Sequence, residues 1–197
     1  MKVLGVSGSP RKEGTDFAVN YALDYLKERG FETRYVSVSQ KKISFCIHCD
    51  YCIRKKEGCV YNDDMKEFYD GLEWADGIIF ASPCYNGNIS GQLKTVFDRC
   101  RAIFAKNPDI LKKKYGMGIS IGGDRNGGQE VSLKTIHDFY ILNGIIPISG
   151  GSFGSNLGAT FWSQDRGKNG VLEDLEGIRT LKRTLKKFYT ILSEKGD

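Results

Sequence analysis

Short apolar runs that alternate with stretches of helical period constrain this chain more than any other feature. Val3 to Ser7, Thr33 to Val38, Gly77 to Ala81, Tyr115 to Ile121 and Ile145 to Ser149 read as strands. Between and after them, apolar residues recur at helical spacing. The groups are Phe17, Ala18, Tyr21, Ala22, Tyr25 and Leu26; Met65, Phe68 and Leu72; Leu93, Val96, Phe97, Cys100, Ile103 and Phe104; and Ile136, Phe139 and Tyr140. The clearest period is the last, Leu172, Leu175, Ile178, Leu181, Leu185, Phe188 and Leu192. Such alternation predicts an α/β fold, a parallel sheet covered by helices on both faces. With five strands and no repeat, the expected arrangement is a doubly wound sheet of order 2-1-3-4-5, one domain over residues 1–197. Pro147 lacks the N–H a ladder needs, which places the fifth strand at an edge. Gly30 and Asn143-Gly144 end helices, and Asp64 with Glu67 has the spacing of a capping box.

The loop expected after the second strand carries a ligand set. Cys46, Cys49 and Cys52 stand at intervals of three, and Cys59 follows, all within residues 45–62. Compact C-x2-C-x2-C runs suit iron-sulfur clusters, because two-residue spacers let successive thiolates converge on neighbouring irons. Val60, not proline, follows Cys59, and there is no second run, so all four cysteines are expected to serve one [4Fe-4S] cluster. Two rivals stay open. Structural zinc more usually takes two separated cysteine pairs, and disulfides are uncommon in a chain of this size without an export signal. His48 inside the run reads as a polar spacer, and Cys100, on an apolar helical face, as a core filler.

Composition narrows the function classes. Of 197 residues 40% are hydrophobic, enough for a sizeable core, and no apolar run approaches membrane-spanning length. Met1 leads straight into the first strand, leaving no room for a signal peptide, and the cysteines look unpaired, so a reducing cytoplasm is expected. The net charge of +5 is a mild excess that a cluster and a phosphate would partly offset. Lys182, Arg183, Lys186 and Lys187 read as a solvated helix face, and no nucleic-acid module is present.

In a doubly wound sheet, ligands bind beyond the carboxyl ends of the strands. The first loop there, Ser7-Gly-Ser9-Pro10-Arg11-Lys12-Glu-Gly14-Thr15, combines hydroxyls, backbone N–H groups, a helix N-terminus and a guanidinium, which suits an anion. A tight turn capped by Thr15 explains the same residues. The second, Ser82-Pro83-Cys84-Tyr85-Asn86-Gly87-Asn88, offers an aromatic, amides and a glycine for close approach to a flat ligand, with Cys84 also readable as a filler. The third, Gly122-Gly123-Asp124-Arg125-Asn126-Gly127-Gly128, is glycine-rich enough to lie against a ring. Gly150 to Gly170 is too long for a plain connector and is expected to be functional or poorly ordered.

Gly-Ser-Pro-Arg-Lys after strand one, Ser-Pro-x-Tyr followed by Ser-Gly-x-Leu-Lys and Phe97-Asp98-Arg99, and Gly-Gly-Gln-Glu after strand four resemble the flavodoxin-like NAD(P)H-dependent FMN reductase superfamily. The cysteine run followed by Asp63-Asp64-Met65 narrows the resemblance to the iron-sulfur flavoproteins. It implies a flavodoxin-like fold and an FMN whose phosphate lies at Ser9, Arg11 and Thr15. The isoalloxazine would then lie against Pro83, Cys84, Tyr85, Asn86, Gly87 and Asn88, with Gly122 and Gly123 on the third loop. It further implies a flavin-dependent oxidoreductase that passes electrons between a ferredoxin-like donor, cluster, FMN and a small-molecule acceptor. Assembly as a homodimer or homotetramer is expected, with the cluster of one subunit approaching the FMN of a neighbour. Relatives often carry Asn-Thr where this chain has Thr15-Asp16, and a carboxylate repels phosphate, so Asp16 is expected to turn outward. No acid-base side chain is expected to be essential. Two alternatives stand beside this reading: an NAD(P)H-dependent FMN or quinone reductase with a zinc-bound or empty cysteine site, and a non-catalytic flavin-binding sensor module.

Overall fold

The computed structural model describes residues 1–196; Asp197, the end of the expected 1–197 domain, lies outside the described residues. β1 (Lys2–Ser7), β2 (Glu32–Ser37), β3 (Gly77–Pro83), β4 (Tyr115–Gly122) and β5 (Ile146–Ile148) form a parallel sheet in the order β2-β1-β3-β4-β5. This is the doubly wound order that the alternation predicts. Central β3 is buried along its whole length, as a strand covered on both faces must be.

Successive side chains of β1 enter opposite cores. Val3 joins Ile79 and Ile119 beneath α1 (Gly14–Lys27) and α8 (Leu175–Gly196), against Leu23, Leu185 and Phe188. Leu4 and Val6 face α3 (Met65–Trp74), α4 (Gly91–Arg99), α5 (Arg101–Lys106) and α6 (Gln129–Leu142), where they meet Phe68, Phe97 and Phe139. A short α2 (Tyr51–Lys55) lies within the cysteine loop.

Several local expectations are corrected. Among the described residues the sheet has six strands rather than five: β5 stops at Ile148, and β6 (Ala159–Trp162) takes over the same edge, pairing Ile119 to Gly122 of β4. The stretch from Gly150 to Gly170 therefore contains a strand and the first turn of α7 (Gly167–Glu173). The terminal helix is broken at Asp174, whose carboxylate accepts the N–H groups of Gly177 (3.1 Å) and Trp162 (2.7 Å). That break leaves Leu172 and Leu175 exposed, so the buried stripe begins only beyond them, with Leu181, Leu185, Phe188 and Leu192. The capping box at α3 does not form. Asp63 accepts the Met65 N–H at 3.2 Å, Asp64 turns to the Lys42 N–H at 2.7 Å, and Glu67 pairs with Lys41. Cys100 is fully buried, as expected, at the junction that divides the fourth helical stretch into α4 and α5.

One packing feature fixes α6 on the sheet. The Tyr140 ring lies over Gly116, where a Cβ would stand 2.6 Å from it. Its buried hydroxyl donates to the Met117 carbonyl (2.8 Å) and accepts the Phe80 N–H (3.2 Å), and burial pushes its pKa well above the usual tyrosine range. Gly116→Ala should force ring and strand apart and destabilise the protein by about 1–3 kcal/mol. In urea unfolding this reads as a lower midpoint at unchanged slope; an unshifted midpoint would show that the contact relaxes freely.

Candidate functional site

At the carboxyl ends of β1, β3 and β4 lies a cleft of about 150 Å³, lined by Ser9, Arg11, Thr15, Pro83, Tyr85 and Gly123 among others. Its floor is the loop after β1. The Ser9 hydroxyl accepts the Arg11 N–H (3.1 Å) and donates to the Arg11 carbonyl (2.7 Å), which curls the loop into a tight turn. Gly8 ties it to the second loop, donating to the Ala81 carbonyl (2.8 Å) and accepting from the Ser90 hydroxyl (2.5 Å). α1 then starts at Gly14 without any side-chain cap, and Thr15 lies inside the helix rather than capping it. The first N–H groups of α1 are therefore unsatisfied by the helix, at the end where its dipole is positive. Gly14 and Thr15 line the cleft at this point, and the Arg11 side chain is exposed beside it. That donor set fits a phosphate.

The expectation for Asp16 is overturned. It does not turn outward: it is 7% exposed and its carboxylate accepts from the Ser7 hydroxyl (3.3 Å) and from the Tyr35 hydroxyl. Burial, reinforced by Asp16, pushes Tyr35 up to about 12. The Ser7 hydroxyl also accepts the Ser9 N–H at 3.4 Å. Asp16 is thus a strut that joins β1, β2 and α1 underneath the turn, which occupies its oxygens with hydroxyl donors and keeps them off an anion above.

The second and third loops meet in the way a flat ligand site requires, though not every expected residue reaches the cleft. Cys84 donates its thiol to the Gly127 carbonyl at 2.7 Å and its N–H to Ile121 at 2.7 Å, so it fastens the two loops together. Gly128, with φ +90°, lies against Gly87, a close approach that also needs the left-handed conformation open to glycine. Pro83, Cys84, Tyr85 and Gly123 line the cleft; Asn86, Gly87, Asn88 and Gly122 do not. Asn86 and Gly87 form the tip of a hairpin closed by Tyr85 and Asn88, and the Asn88 side-chain Oδ1 accepts from the Thr135 hydroxyl at 2.8 Å. The Gly122 carbonyl accepts the Ser163 N–H at 2.8 Å.

Sequence reasoning missed Glu13, Ser163, Asp165 and Gly167, which with Ile121 at the end of β4 complete the lining. Gln164, Asp165 and Gly167 all take positive φ, and the resulting turn brings the Asp165 carboxylate onto Gly123 where any Cβ would collide with it. The long glycine-rich stretch was the available signal; its contact with Gly123 was not legible locally. A larger hollow of about 430 Å³, walled by Phe97, Phe104, Phe139 and Leu142, opens on the helical flank between α4–α5 and α6. It lies off the strand ends and lacks the backbone donors of the cleft, so the smaller cleft is the candidate site.

The cysteine loop leaves the carboxyl end of β2 and occupies the same end of the sheet. Its four thiols are free; Cys49 is exposed and Cys46, Cys52 and Cys59 are half-buried. His48, Asp50, Lys56 and Gly58 adopt positive φ, folding the loop tightly, and Cys46 Sγ accepts the His48 N–H at 3.5 Å. Arg101, held to Asp50 at 2.7 Å, lies in electrostatic reach of Cys46 and Cys52, as Arg99 does of Cys59. Among the described residues no group of three or more His, Cys, Asp or Glu side chains is arranged to hold a metal ion, so the loop brings the thiols into one segment without gathering them about a centre. The donor chemistry, four free thiols with amide and guanidinium donors nearby, fits an iron-sulfur cluster. Phe45 (73% exposed), Ile47 (56%) and Val60 (49%) leave an apolar surface around them.

Comparison with known proteins gives this geometry its context. The NADPH-dependent FMN reductase family model matches residues 1–160. An iron-sulfur flavoprotein of Methanocaldococcus jannaschii is 67% identical, with 99% of this chain and 98% of the relative aligned. One from Archaeoglobus fulgidus is 54% identical over 98% of this chain and 97% of its own. Among solved structures, a WrbA-like flavodoxin from Agrobacterium tumefaciens superposes with a TM-score of 0.61 over 94% of this chain and 98% of its own, at 16% identity, a likeness of fold. No helix among the described residues is long and apolar enough to cross a membrane. With a doubly wound sheet, an uncapped α1 over the cleft and the cysteine loop in place, the chain belongs to the iron-sulfur flavoproteins of the FMN reductase family and is a flavin-dependent oxidoreductase.

Proposed function

We propose that the protein binds one FMN and one [4Fe-4S] cluster and passes electrons between a ferredoxin-like donor and a small-molecule acceptor. The observation that carries this reading is the placement of four free thiols on a closed loop at the sheet end that also holds the cleft. When bound, the flavin can hold two electrons, taken one at a time or together, while the cluster would pass them singly. The chain's own residues bind and orient. Arg11, Ser9 and the first N–H groups of α1 hold the phosphate, while Pro83, Cys84, Tyr85 and Gly123 support the ring. Asn86, Gly87, Asn88 and Gly122 shape those two loops. Cys46, Cys49, Cys52 and Cys59 supply the thiolates, and the exposed Phe45, Ile47 and Val60 offer a face for the donor or a neighbouring subunit of a homodimer or homotetramer. A second reading, an NAD(P)H-dependent FMN or quinone reductase whose cysteine site holds zinc or stands empty, is favoured by the description of the matching family model.

Anaerobic purification decides between them. The proposal predicts a brown protein with FMN, with iron and sulfide in equal amounts; a yellow protein with stoichiometric zinc would support the second reading. Serine at Cys46, Cys49, Cys52 or Cys59 should each abolish the cluster, whereas serine at Cys84 or Cys100 should not. Normal iron content in Cys59→Ser would overturn the assignment of one cluster to these four residues.

Arg11→Ala tests the flavin site. A charge-assisted bond to phosphate contributes about 1.5–3 kcal/mol, so FMN affinity should fall roughly tenfold or more. Riboflavin, which lacks the phosphate, should bind wild type and variant alike. An equal loss for both ligands in titrations of apoprotein would remove Arg11 from the phosphate site.

A further inference from the structure

A buried ion pair closes the neck of the cysteine loop, and the flavin cleft makes no use of it. Arg99 ends α4 and is 2% exposed. Its Nη1 donates to Asp63 Oδ2 (2.8 Å) and to the Ser44 carbonyl (2.6 Å), and its Nη2 donates to Asp63 Oδ1 (3.0 Å). Asp63 in turn accepts the N–H groups of Ser44 (3.0 Å) and Met65 (3.2 Å). Beside them Lys42 donates its N–H to Asp64 Oδ2 (2.7 Å), and Asp64 donates its own to the Lys42 carbonyl (3.2 Å). Residues before the first cysteine and after the last are therefore laced together through one guanidinium. Tyr61 lies under that guanidinium, 5.1 Å from ring centre to Cζ.

The pair's location matters more than its strength. A buried ion pair is often no more stabilising than apolar residues of the same size, yet removing one partner leaves an uncompensated charge. Burial opposes both charges, but each holds the other ionised: the Asp63 carboxyl stays below the usual range and the Arg99 guanidinium above its own. Cys59 is in electrostatic reach of Arg99, and the Arg99 Nε–H finds no partner among the described residues, so one buried donor is left over. A cluster held by four thiolates brings negative charge to this place, and its potential responds to nearby charge and hydrogen bonds.

We propose that Arg99 and Asp63 are positioning residues for the cluster, the bidentate pair holding the Ser44 to Asp63 loop closed and setting the charge that the cluster meets on its Cys59 side. This rests on the cluster reading above, and the test separates the two. In wild type the pair is formally neutral, so Arg99→Gln exposes the cluster to the Asp63 carboxylate, and Asp63→Asn exposes it to the Arg99 guanidinium. The cluster midpoint potential should fall in the first variant and rise in the second, because negative charge disfavours adding an electron. Hydrogen exchange of the Lys42, Ser44, Asp64 and Met65 amides in the flavin-loaded protein should quicken at least about tenfold in both, while the β1 and β3 amides stay protected.

Potentials that move in the same direction in both variants, or neck amides that exchange as in wild type, would overturn the proposal. If Arg99→Gln does not fold, Asp63→Asn decides alone: it keeps the shape of the side chain and must raise the potential and loosen the neck. Wild-type protein that binds no iron after anaerobic reconstitution would refute the cluster reading, and the exchange measurement would then still decide whether the pair is the clamp.

Discussion

Parallel strands can be joined only by crossovers, so every strand of this sheet delivers the chain to a loop at the same end. Ser7, Ser37, Pro83 and Gly122 all finish strands there. The cleft and the cysteine loop share that end for this reason. The loops are then tied to one another: Gly8 to Ser90 between the first and second, Cys84 to Gly127 between the second and third, Gly122 to Ser163 between β4 and the turn after β6. Removing the sheet order would scatter every one of these contacts.

The two sites handle charge differently. The cleft gathers N–H donors and one exposed guanidinium, with the Glu13 and Asp165 carboxylates also in its lining, and it keeps Asp16 occupied by Ser7 and Tyr35 below the turn. The cysteine loop instead sits on buried opposite charges, Arg99 and Asp63, with Arg101 and Asp50 paired nearer the solvent. An exposed pair such as Arg101–Asp50 contributes little to stability, whereas the buried one constrains where the loop can be.

The fold was legible because it is written in local periodicity: Gly77 to Ala81 of β3 is an unbroken apolar run, and Leu181, Leu185, Phe188 and Leu192 keep strict helical spacing. The four cysteines and the Ser9 to Thr15 turn were legible for the same reason, being contiguous segments. What escaped depends on contacts distant in sequence. Asp16, on α1, points inward because Tyr35 on β2 meets it; Asp165 reaches the cleft because a turn beyond β6 packs on Gly123. Leu172 and Leu175 continue the apolar period yet stay exposed, since Asp174 interrupts the helix between them. Arg99 was readable as part of a motif, but its partner lies 36 positions away in the chain.

In the proposed function the cysteine loop carries electrons to the flavin rather than merely shaping the protein. Anaerobic stopped-flow reduction of a Cys46→Ser, Cys49→Ser double variant, checked to retain its FMN and its oligomeric state, tests it most directly. Reduction of the flavin by a one-electron protein donor such as reduced ferredoxin should be lost, while any reduction by hydride donors should be kept. Flavin reduction by ferredoxin at the wild-type rate would contradict it.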